Sequence, residues 1–176
     1  MSADALPLLL RRFGFLIEEF GFALVRTRAV PAGAWYASAT GTVAVCYDYL
    51  RDAAVDVTLQ ESQLGDAYLL SDLSGAARAT QPRKTGIRDL AAFTAELDSA
   101  AATLRTECGD YLRGDVAAFR ARHREAMLVA RCRRLALSEL RRHAPERAAA
   151  LLSAMRGYWT AADRDAYQRC DGQAAG

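Results

Sequence analysis

Residues 8–60 read LLLRRFGFLIEEFGFALVRTRAVPAGAWYASATGTVAVCYDYLRDAAVDVTLQ, and a change of hydrophobic period within that stretch decides the fold. Up to Phe20 the apolar residues are Leu9, Phe13, Leu16, Ile17 and Phe20, the spacing of one helical face. Pro7 suits a first helical turn, Ser2 or Asp4 suits a cap before it, and Gly21 stands where a left-handed C-cap glycine belongs. Beyond Gly21 the period falls to two, which marks strands. Four strands are expected at 22–29, 34–40, 42–49 and 53–60, with turns at Pro31–Gly33, Gly41 and Leu50–Asp52. Val43, Val45 and Tyr47 alternate on one strand, and Val55, Val57 and Leu59 on the next, so one sheet face is apolar and one polar. The links are too short for parallel crossovers, so the sheet is an antiparallel meander.

After the sheet, Tyr68, Leu69, Leu70 and Leu73 predict a single helical turn, capped by Asp66 and stopped by Gly75. Residues 76–86 have no period and are expected to form a loop. A long helix follows over 88–113, with the stripe Leu90, Phe93, Leu97, Ala101, Leu104, Cys108, Tyr111 and Leu112. Gly114 ends it and Asp115 caps the next helix, Val116 to about His143. That helix has a looser stripe of Phe119, Ala126, Met127, Ala130, Leu135, Leu137 and Leu140. Pro145 opens a fourth helical segment with Leu151, Leu152, Met155, Tyr158 and Trp159 as its apolar residues and Tyr167 further on, which Gly157 weakens but need not break, and the last residues, DGQAAG, are expected to be disordered. The class is therefore α+β. A first helix leads into a four-stranded antiparallel meander, a long helix packs on the sheet, and a helical extension closes the chain. All 176 residues form one domain, 1–115 as helix, meander and long helix and 116–170 as a basic helical extension.

Composition is that of an ordinary globular protein, 52% hydrophobic and 25% charged, with a net charge of +2 that gives no overall polyanion signal. No apolar run reaches membrane-spanning length, and LPLLL at 6–10 is too short for a signal-peptide core. A cytoplasmic protein without a membrane partner is expected. Cys46, Cys108, Cys132 and Cys170 are too scattered for a disulfide framework. Cys46 and Cys108 read as small core residues and Cys170 as an exposed thiol.

The chemistry-bearing motifs are few. His123 and His143 have no cysteine at finger spacing, so neither metal nor cofactor is expected. Cys132 lies nine and eleven residues from them, more than two helical turns, too far for a thiolate–base pair. Asp48, Asp52 and Asp56 read as the wet side of a hairpin rather than an acid–base pair. Arg113-Gly114-Asp115 is a C-cap followed by an N-cap, not an adhesion signal. No catalytic residue is nominated, and an enzyme is not expected.

Charge is uneven along the chain. Residues 1–75 hold five Arg against nine acidic residues, whereas 116–147 hold nine Arg against three Glu. The basic helices, through Arg120, Arg124, Arg131, Arg134 and Arg141, are the expected partner-binding surface, together with Trp35 and Tyr47 on the sheet. Arginine is enriched in protein interfaces, and the basic segment lacks the interleaved aromatics of a nucleic-acid binder. A protein partner of acidic character is therefore expected first. A nucleic-acid-associated regulator using the same arginines is the alternative.

Phe13-Gly14-Phe15-Leu16, Glu19, Gly21-Phe22, then Val43, Val45, Tyr47-Asp48, Leu-Leu-Ser-Asp-Leu at 69–73 and a helix end of Ala101, Leu104-Arg105 and Tyr111-Leu-Arg-Gly-Asp115 form an ordered set. Over about residues 8–120 this set resembles a group of small bacterial α+β proteins, uncharacterised or immunity-protein-like, that share a helix, a meander and a closing helix ending in L-x-G-D. The resemblance implies a non-enzymatic role in bacterial conflict or defence, by steric occupation of a partner. It implies no catalytic residues, and residues 121–176 stand outside its pattern.

Overall fold

The computed structural model describes residues 2–48, 54–62, 66–73 and 89–174. They form two compact units, one up to Arg122 and one from His123 onward.

In the first unit, α1 (Ser2–Phe13) and a one-turn α2 (Phe15–Glu18) precede a sheet of five antiparallel strands. The strands are β1 (Ala23–Arg28), β2 (Ala32–Ala37), β3 (Gly41–Asp48), β4 (Ala54–Glu61) and β5 (Ala67–Leu69), in spatial order 1-2-3-4-5. The antiparallel meander matches expectation, with one strand more. The expected helical turn at 68–73 is split. Its first part pairs with β4 through Leu59↔Tyr68, and only α3 (Leu70–Leu73) is helical. Local apolar content there does not distinguish the two states, and a free edge of β4 supplies the partner that makes a strand. The Leu50–Asp52 turn, the Gly75 stop and the 76–86 loop lie outside the described residues.

The first helix is broken at Gly14, where the expected one was continuous. Glycine is the weakest residue in a helix interior. The break turns Ile17 out to 44% exposure, although Leu9, Phe13 and Leu16 remain fully buried. Gly21 takes φ +69, and the Phe22 N–H reaches back to the Leu16 carbonyl at 2.9 Å, the closure of a left-handed C-cap.

Register places Ala34, Val45 and Val57 in one row of the sheet and Tyr36, Val43 and Leu59 in the next. All six side chains are buried. α4 (Leu90–Glu107) and α1 pack on the strands, and Tyr47 meets Phe93 with ring centroids 4.4 Å apart. Asp89 caps α4 by accepting from the Ala92 N–H at 2.7 Å. Of the expected stripe, Leu90 alone is exposed, because it stands at the first position of the helix. The long helix also pauses at Cys108, and α5 (Gly109–Leu112) is a separate turn.

α5 fastens to the sheet through one side chain. The Tyr111 hydroxyl lies 3.0 Å from the Thr42 carbonyl and 2.8 Å from that of Gln60, facing residues of β3 and β4. Gly41 is required beside it, since a Cβ there would run into the Gln60 carbonyl and the Tyr111 hydroxyl. Gly114 follows with φ +85, and Asp115 caps α6 (Val116–Arg141) through the Ala118 N–H at 3.0 Å, both as expected.

In the second unit, α6 continues beside α7 (Pro145–Ala154), a 3-10 turn (Arg156–Tyr158) and α8 (Ala161–Ala174). Its core is Ala136, Leu152, Met155 and Ala166, flanked by Val129, Cys132, Leu140 and Trp159. Three expectations fail here. Leu135 and Leu137 are exposed, because Ala136 between them points inward. The fourth segment does not run on as one helix: α7 stops at Ala154 and a 3-10 turn that holds Gly157 follows. The tail is helical to Ala174, which buries Cys170 to 1% exposure instead of leaving its thiol in solvent.

Candidate partner-docking face

The basic residues divide by what their charges meet. Arg120 donates from Nε and Nη2 to Glu61, a carboxylate only 2% exposed at the end of β4. Arg122 pairs with Asp110 at 3.0 Å. In the second unit Arg133 donates from Nε and Nη2 to Asp163, both at 2.9 Å. Asp163 also accepts from the Thr160 N–H and hydroxyl, each at 2.8 Å. Its burial pushes the carboxyl pKa up, but those four donors outweigh burial and hold it below the usual carboxylate range. Arg120 and Arg133 neutralise buried acids and Arg122 a partly buried one, so their charges are committed within the fold.

The remaining ones are at the surface of α6. Arg124, Arg131, Arg134 and Arg141 are all exposed. Arg141 donates from Nε to its own helix, at the Leu137 carbonyl, and Arg142 and Arg147 share Glu139. Neither Arg124 nor Arg131 makes an ion pair among the described residues. With them stand Leu128, 55% exposed, and Leu135, 44% exposed. Arg124, Leu128, Arg131 and Leu135 are four, three and four residues apart, so they form one line along the outside of the helix. Two large apolar side chains therefore stand beside two unpaired charges on one line of the surface. Leu128 and Leu135 were missed as candidates. Their signal is the seven-residue repeat that they share with Arg124 and Arg131.

The two sheet residues separate. Tyr47 is 1% exposed against Phe93, so the expected partner contact through it is corrected: it is core. Trp35 points to the other side of the sheet, half-buried, with the Arg26 guanidinium 5.0 Å from its ring. β1 beside it is exposed along its whole length, and a bulge between Leu24 and Arg26 interrupts its pairing with β2.

Among the described residues the reactive groups are scattered. Burial pushes the Cys108 thiol up to about 12, with Glu107 adding to the effect, and burial raises Cys170 as well. Cys46, expected in the core, is half-buried on the Trp35 side of the sheet, in register with Asp56. Asp52 and the Asp48 side chain lie outside the described residues. Among the described residues no three His, Cys, Asp or Glu side chains come together as a metal would require, and no helix is long and apolar enough to cross a membrane. An open cleft of about 520 Å³ is lined by Leu140, His143, Pro145 and Arg169, where α6 ends and α7 begins. In comparisons with known proteins, no family model, curated protein or solved structure matches this chain.

Proposed function

We propose that the chain is a non-enzymatic protein-binding module that acts by occupying a partner's surface, in the manner of an immunity-like or accessory protein of a bacterial conflict or defence system. The observation that supports it is the outer line of α6, where two leucines alternate with two arginines that have no counter-charge among the described residues. Arginine and large apolar residues together are the composition of interface centres, because each contributes contact area as well as polarity.

A tagged chain, nuclease-treated and washed at moderate salt, is expected to retain one stoichiometric protein. The pair Arg131→Glu and Arg134→Glu is expected to lose it, with circular dichroism and melting temperature unchanged. Full retention by that pair removes α6 from the interface. The uncompensated arginines also favour a second reading, a regulator associated with nucleic acid. Affinity would then fall linearly with the logarithm of salt concentration, as counterion release requires, and a flat salt response dismisses it.

A further inference from the structure

We infer that the line Arg124–Leu128–Arg131–Leu135 seats an acidic amphipathic helix of the partner, laid along α6. The inference rests on the protein-docking reading above and specifies the chemistry of what docks. Three observations lead to it. The four side chains follow one helical line with a repeat of seven residues, about 10.5 Å at 1.5 Å per residue. That repeat is the one at which a second helix crossing at a shallow angle offers successive holes to leucine knobs. The leucines are half-exposed rather than flattened into the fold, so contact area remains to be covered. Arg124 and Arg131 lie on the same line and find no carboxylate among the described residues, so the covering segment has to supply one beside each leucine contact.

Charge decides between occupants. A second copy of the chain would present the same two leucines and two arginines, and that line carries no carboxylate to answer Arg124 and Arg131. A duplex nucleic acid would satisfy the arginines and leave both leucines against phosphate and water. An acidic helix with apolar residues seven apart, flanked by Glu or Asp, satisfies all four positions.

The test uses the full chain and two capped, fluorescein-labelled 21-residue helical peptides of equal negative charge. One carries leucines at the seven-residue repeat and the other carries serines at the same places. Binding is followed by anisotropy. The leucine peptide is expected to bind about tenfold or more tightly than the serine one, the effect of covering two partly exposed leucines. Leu128→Ser with Leu135→Ser is expected to abolish that difference. Arg124→Gln with Arg131→Gln is expected to weaken both peptides and flatten their salt dependence. Equal binding of the two peptides to the unaltered chain overturns the inference. So does a labelled DNA duplex that binds more tightly than the leucine peptide and is indifferent to the leucine pair. Concentration-dependent dimerisation lost on Leu128→Ser with Leu135→Ser overturns it in favour of a second copy. If a cellular partner is captured and lost on Arg131→Glu with Arg134→Glu, yet the peptides bind equally, docking through α6 stands and the acidic helix falls. If the partner survives that pair, both fall.

Discussion

Replacing Tyr111 by Phe removes one oxygen from a buried junction, and the cost can be worked from its surroundings. The ring is fully buried and packs on Phe119 with centroids 5.2 Å apart, so the substitution leaves the packing unchanged. What disappears is the hydroxyl between the Thr42 and Gln60 carbonyls, at 3.0 and 2.8 Å. A typical intramolecular hydrogen bond contributes about 1 kcal/mol net, and a buried acceptor deprived of its donor costs about 1–3 kcal/mol. Strand pairing continues to engage β3 and β4, so the lower part of that range applies, about 1–2 kcal/mol. Gly41→Ala acts on the same junction from the other side and is expected to cost more, because the Gln60 carbonyl it meets is backbone and cannot swing away. The double variant retains the carbonyl clash and loses the hydroxyl clash. Its cost is therefore expected to fall short of the sum of the two singles by about 0.5 kcal/mol or more. Trp35 lies in the first unit and Trp159 in the second, so urea unfolding in a Trp159→Phe background reports on the sheet alone. At a slope of about 2 kcal/mol/M the Tyr111→Phe midpoint is expected to fall by about 0.5–1 M. A midpoint within 0.1 M of the parent at unchanged slope would refute the junction as a fastening. Strict additivity in the double variant would refute the steric account of Gly41.

Three further substitutions probe the remaining polar groups. The Tyr36 hydroxyl is buried, with no partner among the described residues, and burial pushes its pKa up to about 12. Tyr36→Phe is expected to raise stability by about 1 kcal/mol in the same urea assay, and a loss instead would reveal an ordered water on that oxygen. Asp163 has a folded pKa held below its unfolded value of about 3.9, so its contribution is complete above about pH 5 and is lost as pH falls through the lower folded value. The stability difference between the parent and Asp163→Asn, read by Trp159 fluorescence, should be constant from pH 7 to 5 and shrink below about pH 4. A difference that persists undiminished to pH 2 would assign the effect to packing. His143 adopts φ +56 at the end of α6, a conformation that costs an L residue about 1–2 kcal/mol. His143→Gly recovers that strain less about 0.4–1 kcal/mol of added unfolded-chain entropy, so thermal melting should rise slightly. A fall would mean that the imidazole contributes more to the Leu140–Arg169 cleft than the strain costs.

Much of the fold was legible because its signals are local. The drop in period after Gly21, the alternation in β3 and β4, and the Gly114–Asp115 pair each act within a few residues, and each appears where expected. The misses share a different cause. β5 exists because β4 has an edge to offer, which no window around Tyr68 contains. Gly14 breaks a helix where the apolar period runs straight through it, since periodicity counts side chains and not the backbone cost of glycine. The candidate face was half legible. Arginine density singled out α6, but not which of its arginines were already engaged within the fold. Arg120 and Arg133 find their acids at positions 61 and 163, far away in sequence.

The loose stripe on α6 has a specific origin. Phe119 and His123 are buried four residues apart in its N-terminal part, whereas Cys132, Ala136 and Leu140 turn inward further on. At 100° per residue, Phe119 and Ala136 differ by roughly 100° around the axis. A single stripe cannot fit both sets, so a period search along the whole helix gathers Leu137, which continues the Phe119 line where it is no longer buried, and Leu135, which belongs to neither. The arginines divide by whether a carboxylate lies within reach: Arg120 points toward Glu61 and Arg133 toward Asp163. Arg124 and Arg131 stand on the same side as Leu128 and Leu135, away from both lines. An outer face with two leucines and no internal role for its charges is what remains once the fold has taken the residues that it needs. Substitutions there should leave stability nearly unchanged while altering binding, the reverse of what Arg120 and Arg133 should do.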